Sequence, residues 1–138
     1  MSTPTTTLRL RPALRARIER MAKRARRSFS EVTQDLLDEA LRMRECPGIY
    51  FADEPAGREV KLAGTGLGVW EVIRDYVAAG KEEGALRASF PWLSAAQRKA
   101  CLLYYSRYPQ EIDALIAENE GLTVEAVQAR YPGLVRRA

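Results

Sequence analysis

Thr5, Thr7 and Arg9 alternate along the chain with Thr6, Leu8 and Leu10. An extended backbone therefore puts two hydroxyls and a guanidinium on one face and the leucines on the other. Such a face donates and accepts hydrogen bonds but pairs no nucleophile with a base, so its chemistry is recognition. The same segment opens a basic run. Arg9, Arg11, Arg15, Arg17, Arg20, Lys23, Arg24, Arg26 and Arg27 stand against Glu19 alone, a balance of +8. The net charge is +4, so −4 falls to the rest of the chain. Asymmetry of this kind suits a polyanion at one end and a different partner at the other. A solvated helix face is the plain alternative for these charges.

Catalysis finds little to work with. The 138 residues include no histidine, which removes the commonest general base and the commonest metal ligand. Asp35, Asp38 and Glu39 are the nearest approach to a nuclease metal cluster, but they flank an apolar stripe with no further acidic partner. No enzyme activity, cofactor or metal is expected. Cys46 and Cys101 form no CxxC pair and read as free thiols. Gly64-x-Gly66-x-Gly68 lacks the spacing and context of a phosphate cradle and reads as a tight turn. No apolar run approaches the roughly 20 residues of a bilayer span, and no hydrophobic signal core opens the chain, so the expected location is the cytoplasm.

Thr5–Leu10 reads as one strand, and a lone strand leaves its backbone groups unpaired, so a second copy is expected to pair with it. Pro12 suits a helix first turn, and Leu14, Ile18, Met21, Ala22 and Ala25 follow at helical spacing. Ser30 is the expected N-cap of a second helix, with Glu31 in its first turn and Phe29 folding back. Val32, Leu36, Leu37, Ala40 and Leu41 carry that helix to about Met43.

Cys46-Pro47-Gly48 breaks the pattern. Ile49–Ala52 and Arg58–Leu62 read as two strands around a turn, and Val69, Trp70, Ile73, Tyr76 and Val77 as a helix. A short helix is expected over about 81–89, then a Phe90-Pro91-Trp92-Leu93 turn. Ser94 caps a longer helix to about Arg107 with a stripe of Ala96, Ala100, Leu103 and Tyr104. That helix offers Gln97, Arg98, Lys99 and Arg107. A further helix over Gln110–Asn119 is apolar through Ile112, Leu115 and Ile116, and Thr123 caps a last one to about Arg130. The expected class is mainly α, in segments 1–44, 45–108 and 109–138.

Leu8-Arg9-Leu10 running into Pro12, Met21-Ala22, Ser28-Phe29-Ser30 and Leu36-Leu37-Asp38-Glu39-Ala40-Leu41 together resemble the ribbon-helix-helix DNA-binding family of the Arc and MetJ repressors. The likeness covers residues 5–44. It implies a homodimer, or a tetramer, built on a two-stranded ribbon plus four helices, with Leu8, Leu10, Leu14, Ile18, Leu37 and Leu41 in the dimer core. The ribbon would enter the major groove of double-stranded operator DNA, with Thr5, Thr7 and Arg9 reading bases. Ser28 and Ser30 at the second helix, with Arg26 and Arg27, would hold phosphates. Many members carry a glycine before the Ser-x-Ser, where this chain has Arg26-Arg27.

Gly57-Arg58, Leu62-Ala63-Gly64-Thr65-Gly66-Leu67, Val69-Trp70-Glu71-Val72, Ala78-Ala79-Gly80, Phe90-Pro91-Trp92-Leu93-Ser94, Ala100 and Tyr104-Tyr105 resemble the helix-turn-helix family catalogued as domain of unknown function 433. Where that family tends to carry a basic residue and a proline, this chain has Thr65-Gly66-Leu67. The likeness implies a small β-hairpin, a trihelical helix-turn-helix unit and a VapB-like antitoxin partnered with a PIN-like ribonuclease toxin. In that role Ile112, Leu115 and Ile116 would touch the toxin, and the protein would be a nucleoid-associated repressor of its own operon. The bland alternative for 110–134 is a helical segment packed on its own domain. At the level of the whole chain the alternatives are a non-enzymatic scaffolding dimer and a transcription regulator without a toxin. DNA reading by the helix-turn-helix unit, through Arg98, Lys99 and Arg107, is disfavoured by the charge balance.

Overall fold

In the computed structural model, which describes residues 3–120, the chain is mainly helical with one small antiparallel sheet. It divides into two compact units at Arg44/Glu45.

In the first unit, helix α1 (Pro12–Ala25) starts with proline at its first position, where the absent N–H costs no helix bond. It stops at Arg26, whose φ of 55° is left-handed, while the Arg27 N–H reaches back to the Ala22 carbonyl at 3.0 Å. Left-handed backbone favours glycine, so Arg26 holds this corner at a cost of about 1 kcal/mol.

Helix α2 (Phe29–Glu45) follows after three residues. Its N-cap is Ser28 rather than the expected Ser30. The Ser28 hydroxyl accepts the Glu31 N–H at 3.0 Å, and the Glu31 carboxylate accepts the Ser28 N–H at 3.4 Å. Those hydrogen bonds, and the Arg27 guanidinium beside it, hold the Glu31 carboxyl below its usual range. Ser30 lies inside the first turn and accepts from Gln34. Ile18, Ala22 and Val32 are the buried residues of this unit, and Leu10, Phe29 and Leu36 pack around them.

Residues 3–11 hold neither helix nor strand. A strand is defined by its ladder, and no described residue of the single chain supplies one.

The second unit opens with strands β1 (Ile49–Glu54) and β2 (Gly57–Leu62), paired antiparallel from Ile49 opposite Leu62 to Glu54 opposite Gly57. Gly48 is required here: its φ is +107°, and a Cβ would stand 3.2 Å from that of Ala100. The glycine-spaced loop is indeed a turn. The Thr65 hydroxyl donates to the Leu62 carbonyl and accepts the Leu67 N–H.

Helices α3 (Val69–Ala78), α4 (Glu83–Ser89), α5 (Ala95–Arg107) and α6 (Pro109–Glu120) complete the unit. The Ser94 hydroxyl caps α5 by accepting the Gln97 N–H, and Gln97 returns the bond to the Ser94 N–H. α3 lies at the centre and packs against α4, α5 and α6. Tyr104, Leu62, Ile73, Leu86 and Ile112 are the largest fully buried side chains. The buried stripe of α5 is Ala100, Cys101 and Tyr104; Ala96, expected in it, is exposed. Both cysteines are buried, and burial pushes the Cys101 thiol up to about 12. The helix expected over Thr123–Arg130 lies outside the described residues. No described helix is long and apolar enough to cross a membrane.

Candidate nucleic-acid interface

Thr5, Thr7 and Arg9 are exposed in the segment that leads into α1. Leu8 beside them is 62% exposed, while Leu10 is half-buried against the small core of the unit. The alternation read from sequence therefore survives as an exposed polar set, with only one of its two leucines covered.

The other residues expected at a dimer core divide in the same way. Ile18 is buried, but Leu14, Leu37 and Leu41 are exposed, as are Met21 and Met43. Leu8, Leu10, Leu14, Ile18, Met21 and Leu37 line one open apolar groove of about 330 Å³. The unit leaves six large apolar side chains exposed, Leu8, Leu14, Met21, Leu37, Leu41 and Met43, and contiguous apolar patches on protein surfaces often mark contacts.

The basic run belongs to the same unit, and Arg17 lines the groove. Arg15 is committed: it pairs with Glu19 at 2.9 Å and lies 5.3 Å from the centre of the Phe29 ring. Arg27 is committed too. It pairs with Asp35 and, at 3.5 Å, with Glu31, and these carboxylates raise its pKa further. As a phosphate contact Arg27 is thus weaker than its type suggests, because it already neutralises two acids of its own chain. Arg9, Arg11, Arg17, Arg20, Lys23, Arg24 and Arg26 are exposed and pair with no acid among the described residues.

The start of α2 completes the arrangement. Ser28 spends its hydroxyl on the Glu31 N–H, which leaves the Phe29 and Ser30 N–H groups with no protein acceptor among the described residues. Free N–H groups at a helix start attract an anion. The Glu31 carboxylate at the same turn opposes one, and the cation paired with it is Arg27.

Asp35, Asp38 and Glu39 do not converge. Asp35 faces Arg27, Asp38 pairs with Arg42 at 3.0 Å, and no group of three metal-ligating side chains occurs among the described residues.

In the second unit, the residues expected to touch a toxin have other work. Ile112 is fully buried in the core of its own unit, and Leu115 and Ile116 are half-buried against it. Residues 109–120 of the segment thus pack on their own unit, and 121–134 lie outside the described residues. Hydrogen bonds from Tyr104 to Glu111 (2.6 Å) and from Tyr105 to Asp113 (2.8 Å) fasten α6 to α5. Three of the four residues offered by α5 are also occupied. Gln97 makes the cap and donates to the Ala63 carbonyl, Arg98 donates to the Leu93 carbonyl at 2.6 Å, and Arg107 faces Glu45 at 3.6 Å.

Sequence reasoning missed the Ser28 cap, although Ser28-x-x-Glu31 is itself a capping-box pattern. It also missed the loss of Arg27 to Asp35, eight positions away, for which no local pattern gives a signal. No family model, curated protein or solved structure matches this chain.

Proposed function

We propose that the chain is a dimeric, sequence-specific DNA-binding repressor of ribbon-helix-helix type, the antitoxin of a type II toxin–antitoxin pair. One observation carries the DNA half of this reading. An uncovered apolar face and a run of unpaired cations occupy the same 44-residue unit. A second copy covers the face. Burying Leu8, Leu14, Met21 and Leu37 contributes roughly 1 kcal/mol or more for each, since each is only partly exposed at the outset.

Pairing of residues 5–10 with the same residues of the second copy gives the segment its missing ladder. It also sets Thr5, Thr7 and Arg9 on the outer face of a ribbon sized for the major groove. Arg9 reads guanine through two parallel hydrogen bonds, and the threonines meet base edges or a thymine methyl. Arg26, Ser28 and Ser30, with the first N–H groups of α2, hold a backbone phosphate, and Arg27 serves mainly to fix the turn. The second unit is the protein-binding end, which engages a PIN-like ribonuclease toxin while the first unit represses the shared operon.

Selection of a duplex from a random library, followed by gel shifts at moderate salt, tests the DNA half. Arg9→Ala should lower affinity for the selected site by about 5- to 150-fold, the range for one bidentate base contact, and leave binding to random duplex nearly unchanged. Arg26→Ala should weaken both alike and flatten the salt dependence by about one unit. Intact site preference in both Arg9→Ala and Thr7→Ala would refute the ribbon. Co-purification with the neighbouring gene product tests the toxin half, and a chain that never forms such a complex contradicts it.

A further inference from the structure

α5 carries apolar residues on two faces. One face, Ala100, Cys101 and Tyr104, enters the core. The other, Ala95, Arg98, Lys99, Leu102 and Leu103, repeats at helical spacing along one wall of a groove of about 510 Å³, and α4 supplies the opposite wall through Leu86 and Arg87. Leu102 and Leu103 lean on the core with one side and line this open groove with the other.

The groove has a definite chemical character. Its floor is Leu86, which is buried, with Leu102 and Leu103 half-buried beside it. Its rim is Arg87, Arg98 and Lys99 against Glu83 alone. Arg87 and Lys99 are exposed and pair with no acid among the described residues, so their charge is available. The turn joining the two walls holds Trp92, which is 66% exposed and stands edge-on to Phe90 at 5.6 Å. An exposed tryptophan in the turn between the two walls and arginines on the rim are residue types enriched among interface anchors.

We infer that the α4–α5 groove docks an acidic amphipathic helix of a partner protein. Leucines of that helix cover Leu86, Leu102 and Leu103, and its glutamates or aspartates meet Arg87, Arg98 and Lys99. Two observations favour this occupant over duplex DNA. The floor is apolar where a phosphate backbone needs polar contacts. Residues 45–120 carry eight basic and twelve acidic side chains, a balance of −4 that repels a long polyanion while the local +2 of the groove attracts a short acidic segment.

The test uses the full chain and a synthetic helical peptide with leucines at i, i+4 and i+7 and glutamates at the flanking positions, alongside its lysine-for-glutamate counterpart. Binding is followed by the Trp92 fluorescence, with Trp92→Phe separating it from Trp70. The glutamate peptide should bind at least about tenfold more tightly, and the double variant Arg87→Glu, Lys99→Glu should erase that preference without changing the far-UV circular dichroism. Equal binding of the two peptides, or an unchanged preference in the double variant, overturns the inference. So does displacement of the peptide by random duplex DNA, which reassigns the groove to nucleic acid.

The inference rests on the second unit being the protein-binding end, and co-purification keeps the two claims apart. A neighbouring-gene product that binds wild type and double variant equally removes the groove and leaves the protein-binding reading standing. One that binds neither removes that reading, while the peptide titration still decides the groove.

Discussion

The two units solve the same problem of burial in opposite ways. Residues 45–120 bury fourteen side chains in one cluster that joins the hairpin to all four of its helices. Residues 3–44 bury three, and leave Leu8, Leu37 and Leu41 more than half exposed. Charge divides along the same line. Eleven basic and five acidic side chains give the first unit +6, against −2 for the second, whose residues 45–138 carry eleven basic and thirteen acidic side chains. A unit with a core of its own folds at any concentration. One that keeps its apolar face outside gains less from its own burial, because a chain of some 40 residues rarely encloses enough surface alone.

The largest effect that can break this comparison is expected in the second unit. Ile112→Ala should cost about 2–5 kcal/mol in urea unfolding, with no dependence on protein concentration. A loss below about 0.5 kcal/mol would mean that α6 is not part of the core. Leu37→Ala sharpens the contrast. A side chain 53% exposed should matter by less than about 0.5 kcal/mol in a lone chain. In a dimer the same change should cost about 2 kcal/mol, and the stability of wild type and variant alike should fall on dilution.

Next in size is Ser28→Ala, expected to destabilise α2 by about 1 kcal/mol, with Ser30→Ala doing clearly less. The Glu31 carboxyl gives the same cap a pH signature. Its folded pKa lies below the ordinary 4.5, so its contribution is present above that value and fades as pH falls through the lowered one. Amide shifts of Ser28 and Glu31 should therefore move together only in that acid range. The smallest effect is a gain. Arg26→Gly should stabilise the first unit by about 0.5–1 kcal/mol, since glycine accepts the left-handed backbone. The same variant should bind DNA more weakly, so stability and affinity would move in opposite directions.

Much of the second unit was legible in the sequence because its signals are local. Pro91 and Ser94 fix the start of α5, and Asp53 to Gly57 fixes the turn between the strands. What local pattern could not supply was the identity of the covering partner. Ile112, Leu115 and Ile116 have the spacing of an apolar face, and spacing does not say whether that face meets its own domain or another protein. The structure shows its own domain. Ala96 and Cys101 show the same ambiguity within two turns of one helix, where small residues bias neither face. In the first unit the reverse holds. Leu8, Leu14, Leu37 and Leu41 look like core in the sequence and are exposed in the single chain, so sequence and structure agree only if another surface covers them.

That covering is what a sedimentation measurement of the full chain across a range of concentrations reads directly. The account predicts the mass of two copies, reduced to one by Leu37→Glu with simultaneous loss of the α1–α2 helical signal and of the DNA gel shift. A wild-type chain that stays a single copy at high concentration, with residues 3–44 stably folded, would contradict it.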